Sequence, residues 1–437
     1  MKQSGIEWIG DIPDDWYTTR IKMVSNIIGR IGFRGYTVND LVQKGEGAIS
    51  LSPSNIDNDL VNYKKTTFLS WEKYEESPEI KIYNDDIIFV KTGSSYGKVG
   101  FVTALPEKAT LNPQLVVFKN INMNNKFFYY LVSSNILKHQ VETIISGSTI
   151  PTLSQTKLGD CSIVKPPYIL QEKIVAYLDK STSKVEDAIK TKQAQLKTLE
   201  TLKKSIIHKA VTKGLDDSVD MKDSGIEWIG EIPEHWSIER LKDVVYINKE
   251  SLSASTDENY LIKYLEISNV NSLGIISEDA IEELLFQEAP SRAKRIIKAG
   301  DTIVSSVRPN LQAIAYIDLE DDNLICSTGF YTNKVIHEAK HSKKYVYYYL
   351  LSEFARQSFI SFGKGVGYPA VDDIDYRTLK IVYPLFTEQN NIVKYLDIEV
   401  EKIDSLKSNV QNQINKLKEY KKSLIYEYVT GKKQVKE

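Results

Sequence analysis

Residues able to do chemistry are thinly spread along this 437-residue chain. Cys161 and Cys326 are too few for a disulfide framework or a zinc site. The five histidines lie scattered, without the spacing of metal ligands. "KPPY" (165–168) ends like the Asp/Asn/Ser-Pro-Pro-Tyr signature of adenine methyltransferases. Its first residue, Lys165, has no acceptor for an adenine amino group. The matching stretch of the second half is "VYPL" (382–385), so both read as a proline stop before a helix. "TGSSYGKVG" (92–100) has the glycines of a phosphate loop, but no helical pattern follows to bind phosphate or S-adenosylmethionine. "EYK" (419–421) has the Glu-x-Lys form of a nuclease site without an upstream Pro-Asp, and reads as a solvated helix face. There is no Walker motif and no nucleophile–base pair. The chain therefore reads as a binding protein rather than an enzyme.

The elements that position any binding residue are written twice. "SGIEWIGDIPDDW" (4–16) and "SGIEWIGEIPEHW" (224–236) agree at ten of thirteen positions. "KFFYYLVSS" (126–134) answers "KYVYYYLLS" (344–352), and "QEKIVAYLD" (171–179) answers "QNNIVKYLD" (389–397), both at an offset of 218. "LKTLETLKKSIIHKAVT" (196–212) answers "INKLKEYKKSLIYEYVT" (414–430). The stretches between are far less alike. Two units of this length are a duplication of whole domains, because solenoid repeats are much shorter.

Each half has two regimes. The first is β-rich, with strands expected in "DDIIFVKTG" (85–93), "QLVVFKNI" (114–121) and "GDTIVSSV" (300–307), and a short helix in "KFFYYLVSSN". The second is one long helix without Pro or Gly. From Val175 the a/d pairs are Val175/Leu178, Thr182/Val185, Ile189/Lys192, Leu196/Leu199 and Lys203/Ile206. The second half answers with Val393/Leu396, Val400/Ile403, Lys407/Val410, Ile414/Leu417 and Lys421/Leu424. Five heptads in each half predict that the helices pair as a coiled coil. A helix over 169–213 would be roughly 65–70 Å long at 1.5 Å per residue. Gly214 is a plausible C-cap, and the polar stretch after it reads as a linker.

Composition is ordinary for a globular protein, with 42% hydrophobic and 26% charged residues. No run of eighteen apolar residues predicts a membrane span, and the N-terminus has no signal-peptide core. The two thiols suit a reducing compartment, and a cytoplasmic location is expected. Charge is uneven: 18 basic against 17 acidic residues over 1–166, but 18 against 26 over 218–384. Within that acidic half, "SRAKRIIK" (291–298) holds four basic residues and no acid.

In this order, and twice, the marks resemble the specificity subunits of type I restriction-modification systems. They are the repeated opening, a "GD-I" strand with a following loop (86–93; 300–308), and a Gly-then-Pro segment, "SGSTIPTLS" (146–154) and "GKGVGYPAV" (363–371). The last is "PPYILQEKIVAYLD" (166–179), answered by "YPLFTEQNNIVKYLD" (383–397). The resemblance spans nearly the whole chain. It implies an α+β fold with two repeated target recognition domains, over 1–166 and 224–384. Each is followed by a long helix, over 167–213 and 385–437, with a linker at 214–223. The helices would pair as an antiparallel coiled coil with pseudo-twofold symmetry.

Each domain would read one half of a bipartite, asymmetric site on double-stranded DNA. The coiled coil would set the spacing and dock two methyltransferase subunits, joined by restriction/translocase subunits. The chain itself would be non-catalytic, with S-adenosylmethionine, ATP and Mg²⁺ on its partners. Two other readings stand beside this one: a DNA reader of another methylation–cleavage system, and a coiled-coil scaffold with two interaction domains.

Base reading calls for paired donors and acceptors: Arg or Lys for guanine, Asn or Gln for adenine. Loops between strands are their natural carriers. On the resemblance, the candidates in the first half are Arg30 and Arg34, then Lys91, Ser94, Ser95, Tyr96 and Lys98, then Ser148 and Thr149. In the second half they are Arg292, Lys294 and Arg295, then Arg308, Asn310 and Gln312, then Lys364 and Tyr368. Trp8, Trp16, Trp228 and Trp236 lie in the repeated frame and read as core or docking residues, since base contacts should differ between halves.

Overall fold

The computed structural model describes residues 1–435 apart from 58, 146–151, 227, 272–273, 278, 280, 308–312 and 364–369. The chain forms two compact units, Met1–Lys192 with Asn412–Glu437, and Gln193–Gln411. The long helices are Tyr168–Lys213 and Phe386–Val429. Each unit thus owns the N-terminal part of one long helix and the C-terminal part of the other. The spatial cuts fall inside the long helices.

In the first unit a six-stranded sheet runs in the order Asn26–Gly29, Leu115–Lys119, Ile87–Val90, Val99–Phe101, Leu60–Val61, Ile56–Asp57. A four-stranded sheet runs Ala109–Leu111, Gly47–Leu51, Thr67–Ser70, Leu41–Val42. The period of two along a strand explains the unbroken apolar run "IIFV". Ile87 and Phe89 enter one core with Trp16 and Phe127; Ile88 and Val90 enter a second with Ile49 and Leu51. A strand buried on both faces has no polar positions to alternate. The second unit repeats the plan with two four-stranded sheets. There Val304 joins the core of Trp236, and Ile303 the core of Leu265.

The repeated segments are the joints of this plan. Gln171 accepts from the Asn124 N–H at 2.8 Å and donates to the Pro166 carbonyl at 2.8 Å. Gln389 accepts from the Ser342 N–H at 2.8 Å and donates to the carbonyls of Pro384 (2.9 Å) and Lys340 (3.1 Å). Eight residues on, Asp179 accepts from the Tyr130 hydroxyl and Lys126 Nζ, both at 2.6 Å. Asp397 does the same with Tyr348 (2.7 Å) and Lys344 (2.9 Å). Each clasp ties the start of a long helix to the short helix before it, Asn125–Ser133 or Lys343–Leu350.

The Trp frames lock onto the opposite helix ends. Trp16 packs with Leu424, Tyr428 and Val429; Trp236 packs with Ile207, Ala210 and Val211. Both indoles are fully buried, whereas Trp228 is half exposed. The first long helix stops at Gly214, which takes φ +78° as the expected C-cap. The second stops at Val429, earlier than the expected 437, because Gly431 turns the chain with φ +73°.

Every predicted a/d side chain is buried or half-buried. The pairing is antiparallel in each unit: Tyr177 meets Tyr428 and Glu186 pairs Lys421 in the first, while Glu200 pairs Lys407 and Lys203 pairs Asp404 in the second. As one number rises the other falls. Three lysines at a positions, Lys203, Lys407 and Lys421, thus carry their charge to a carboxylate on the facing helix. Polar a residues of this kind specify register.

The second unit also holds two imidazoles, His208 and His341, whose Nδ1 atoms are buried without a partner. Burial pulls both below the ordinary histidine range. Above about pH 6.5 both are neutral whether folded or unfolded. As the pH falls below that value, the unfolded chain takes up the protons first, so stability present above it is lost. Calorimetry should show the second unit melting progressively lower as the pH falls below about 6.5. His341→Phe should flatten the slope.

Candidate nucleic-acid interface

In the first unit three turns meet at one end of the two sheets. The hairpin 91–98 joins Ile87–Val90 to Val99–Phe101 and needs positive φ at Gly93 (+96°) and Gly97 (+83°). The Lys91 N–H donates to the Gln114 carbonyl at 2.9 Å, and the Leu153 N–H donates to the Lys91 carbonyl at 2.8 Å. The Asn112 N–H donates to the Leu51 carbonyl at 2.8 Å, which brings in the turn Pro53–Asn55. Between the turns lies a cleft lined by Ser52, Ser54, Thr92, Ser94, Ser95 and Gln114, with no charged group among the described residues of its wall.

The second unit builds the same scaffold. The Ser306 N–H donates to the Gly329 carbonyl at 2.8 Å, and the Val371 N–H donates to the Ser306 carbonyl at 2.9 Å. The turn Ile267–Asn269 takes the place of Pro53–Asn55. Asn55 and Asn269 play one role: Asn55 Oδ1 accepts from the Ser52 N–H at 2.9 Å, and Asn269 Oδ1 from the Glu266 N–H at 2.6 Å. The backbone is matched, but the side chains are not. Lys91 is answered by Ser306, Gln114 by Gly329, and Ser52 by Glu266.

The predicted residues divide into three groups. Ser94 and Lys98 are exposed on the hairpin, and Lys91 and Ser95 are half-buried. Burial pulls the Lys91 ammonium below the usual lysine range. Tyr96 is half-buried and packs against the core of Phe89. Arg292 and Lys298 are exposed beside the strand Ala293–Ile296, an edge of its sheet; Lys294 and Arg295 are half-buried. The Arg292 carbonyl accepts from the Thr328 N–H at 2.8 Å, which places Arg292 next to the 328–329 turn of the scaffold.

Arg30 is a correction. It is 4% exposed, and its guanidinium donates to the Leu111 carbonyl (3.1 Å), the Arg34 carbonyl (3.3 Å) and Thr110 Oγ1 (3.1 Å). Those bonds hold the domain together and leave it no reach to a base. Arg34 is half-buried and pairs with Glu79 at 3.5 Å. Ser148, Thr149, Arg308, Asn310, Gln312, Lys364 and Tyr368 lie outside the described residues.

The scaffold adds residues that no single loop reveals: Ser52, Ser54, Asn112 and Gln114 in the first unit, Glu266 and Thr328 in the second. Their only sequence signal is turn chemistry, "SPSN" (52–55) and "LNPQ" (111–114). Part of the acidity of the second unit is taken up internally, since Lys263 binds Asp321 at 2.8 Å and Glu283 at 3.8 Å. Among the described residues no cluster of three His, Cys, Asp or Glu side chains is placed to hold a metal, and no helix is long and apolar enough to cross a membrane.

The type I restriction modification DNA specificity domain family matches residues 13–198 and 233–416. The chain is 25% identical to the type I restriction enzyme MjaVIII specificity subunit of Methanocaldococcus jannaschii, over 82% of this chain and 81% of that one. It is 24% identical to the putative MjaX specificity subunit of the same organism, over 98% and 96%. The Escherichia coli EcoKI specificity subunit is 20% identical over 97% and 90%. A solved chain described in terms of complex assembly and conformational transition of the type I R-M system shares the fold, with a TM-score of 0.65 at 17% identity over 96% and 98%.

Proposed function

The chain belongs to the type I restriction-modification DNA specificity family, and from that premise we propose that its two units read the two halves of one split DNA site. The chain is the non-catalytic, sequence-specificity component of its system, and DNA and the modification and restriction subunits are its partners. One observation carries the division of labour: matched backbone scaffolds with unmatched side chains, Lys91/Gln114 against Ser306/Gly329. A frame that does the same job twice keeps its residues, as the Gln171/Gln389 and Asp179/Asp397 clasps do. A surface that reads different bases must change them.

The doubled frame offers two equivalent docking surfaces, so two identical methyltransferase subunits bind one chain. S-adenosylmethionine, ATP and Mg²⁺ belong to those partners, and the complex works in the cytoplasm. Native mass spectrometry of the co-expressed complex tests the count; a single methyltransferase at saturation contradicts it. Methylation-site sequencing of a host carrying the system tests the reading, which requires two fixed half-sites with unread bases between them.

Exposed Arg292 and Lys298, with Lys294 between them, supply phosphate contacts for the otherwise acidic second unit. Replacing all three with alanine should weaken binding of the assembled complex to all sequences alike. The slope of log K against log salt should shrink by about 0.9 for each phosphate no longer neutralised. A triple variant with an unchanged salt slope would remove this strand from the interface.

A further inference from the structure

We infer that Gln114 is a specificity-determining residue that reads an adenine in the half-site of the first unit. The inference rests on the reading of the two units as DNA readers and names one side chain within it. Gln114 is exposed at the cleft between the three turns, and its backbone is pinned on both sides. Its N–H donates to Asn112 Oδ1 at 2.8 Å, and its carbonyl accepts from the Lys91 N–H at 2.9 Å.

The side chain is oriented as well. Asn112 Nδ2 donates to Gln114 Oε1 at 3.2 Å, which identifies the oxygen end of the amide. Nε2 lies against Gly93, where an added Cβ would stand 3.2 Å away. Among the described residues Nε2 donates to no protein atom. The Asn112 bond uses one lone pair of Oε1, so a second lone pair and both Nε2 protons remain. An acceptor beside a donor on one planar amide matches the N6 and N7 edge of adenine in the major groove.

The surroundings favour reading over simple attachment. Among the described residues, the cleft wall presents the hydroxyls of Ser52, Ser54, Thr92, Ser94 and Ser95 and no charge. With no charged group among its described lining residues, the cleft offers base edges neutral donors and acceptors and little that attracts phosphate by charge alone. In the second unit the same backbone position is Gly329, where an added Cβ would stand 2.5 Å from Ile267 Cδ1. Any side chain there would first have to displace the tip of Ile267. The two units therefore differ at Gln114 by the whole reading group, on one shared scaffold.

The test is methylation-site sequencing of hosts carrying the complete system with wild-type chain, Gln114→Ala or Gln114→Glu. The alanine variant should lose about tenfold or more of its discrimination at a single A·T position of one half-site. The glutamate variant, with acceptors only, should shift preference at that position toward the cytosine amino group. The other half-site should not change in either. Unchanged recognition in both variants, or uniform loss at every position, overturns the assignment. Glutamate is isosteric with glutamine, so it decides the matter should the alanine variant fold poorly. If the wild-type system methylates no split site, the reading of the units fails instead, which separates the two failures.

Discussion

Trp236→Ala is expected to lower the melting temperature of the second unit by roughly 10 °C. Removing a fully buried indole costs about 3–5 kcal/mol, and each kcal/mol is worth about 2–4 °C in a unit of this size. The ring does three things at once. It fills the core with Ile207 and Val211, lies against Gly214 at the helix cap, and donates from Nε1 to Glu388 at 3.1 Å. Trp16→Ala should do the same to the first unit. Trp236→Phe should cost more than Trp16→Phe, because Trp16 Nε1 has no acceptor. The position that answers Glu388 is Leu170. Calorimetry of the four variants checks this; equal costs for the two phenylalanine variants would contradict the role given to Glu388.

Gln389→Leu should destabilise the second unit by a similar amount. The side chain is 1% exposed, and its loss strands the Ser342 N–H and the Pro384 and Lys340 carbonyls. A backbone group without a partner costs about 1–3 kcal/mol where it is fully buried, as the Pro384 carbonyl is, and less for the part-buried Ser342 N–H and Lys340 carbonyl. Gln171→Leu strands two groups, the Asn124 N–H and the Pro166 carbonyl, and should cost less. Denaturant melts of the two variants compare them directly. The reverse order would mean that the clasp is not what holds the short helix to the long one. Neither change touches the cleft, so bases recognised at a permissive temperature should be those of the wild type.

Much of this protein is legible in order along the chain, because it is written in short periods. The seven-residue repeat marks both long helices, since apolar spacing of 3.5 places one stripe on one face. Each a/d residue from Val175 to Ile206 and from Val393 to Leu424 is buried or half-buried as that period requires. The duplication, the strands and the Gly214 cap are equally local. So are the motifs that place the chain in its family.

What the periods cannot carry is contact between distant residues. Arg30 sits between glycines like a loop residue, yet it is buried because Thr110 and Leu111, eighty positions on, offer its guanidinium acceptors. The Trp16 frame packs on Leu424–Val429 at the far end of the chain, so the compact units cut through the helices. The cleft around Gln114 exists only where three turns, near 52, 92 and 113, are tied by backbone hydrogen bonds across two sheets. Each turn alone is ordinary surface. Sheet register brings their side chains within reach of one another, and that register belongs to strands paired across the two sheets from positions far apart in the sequence.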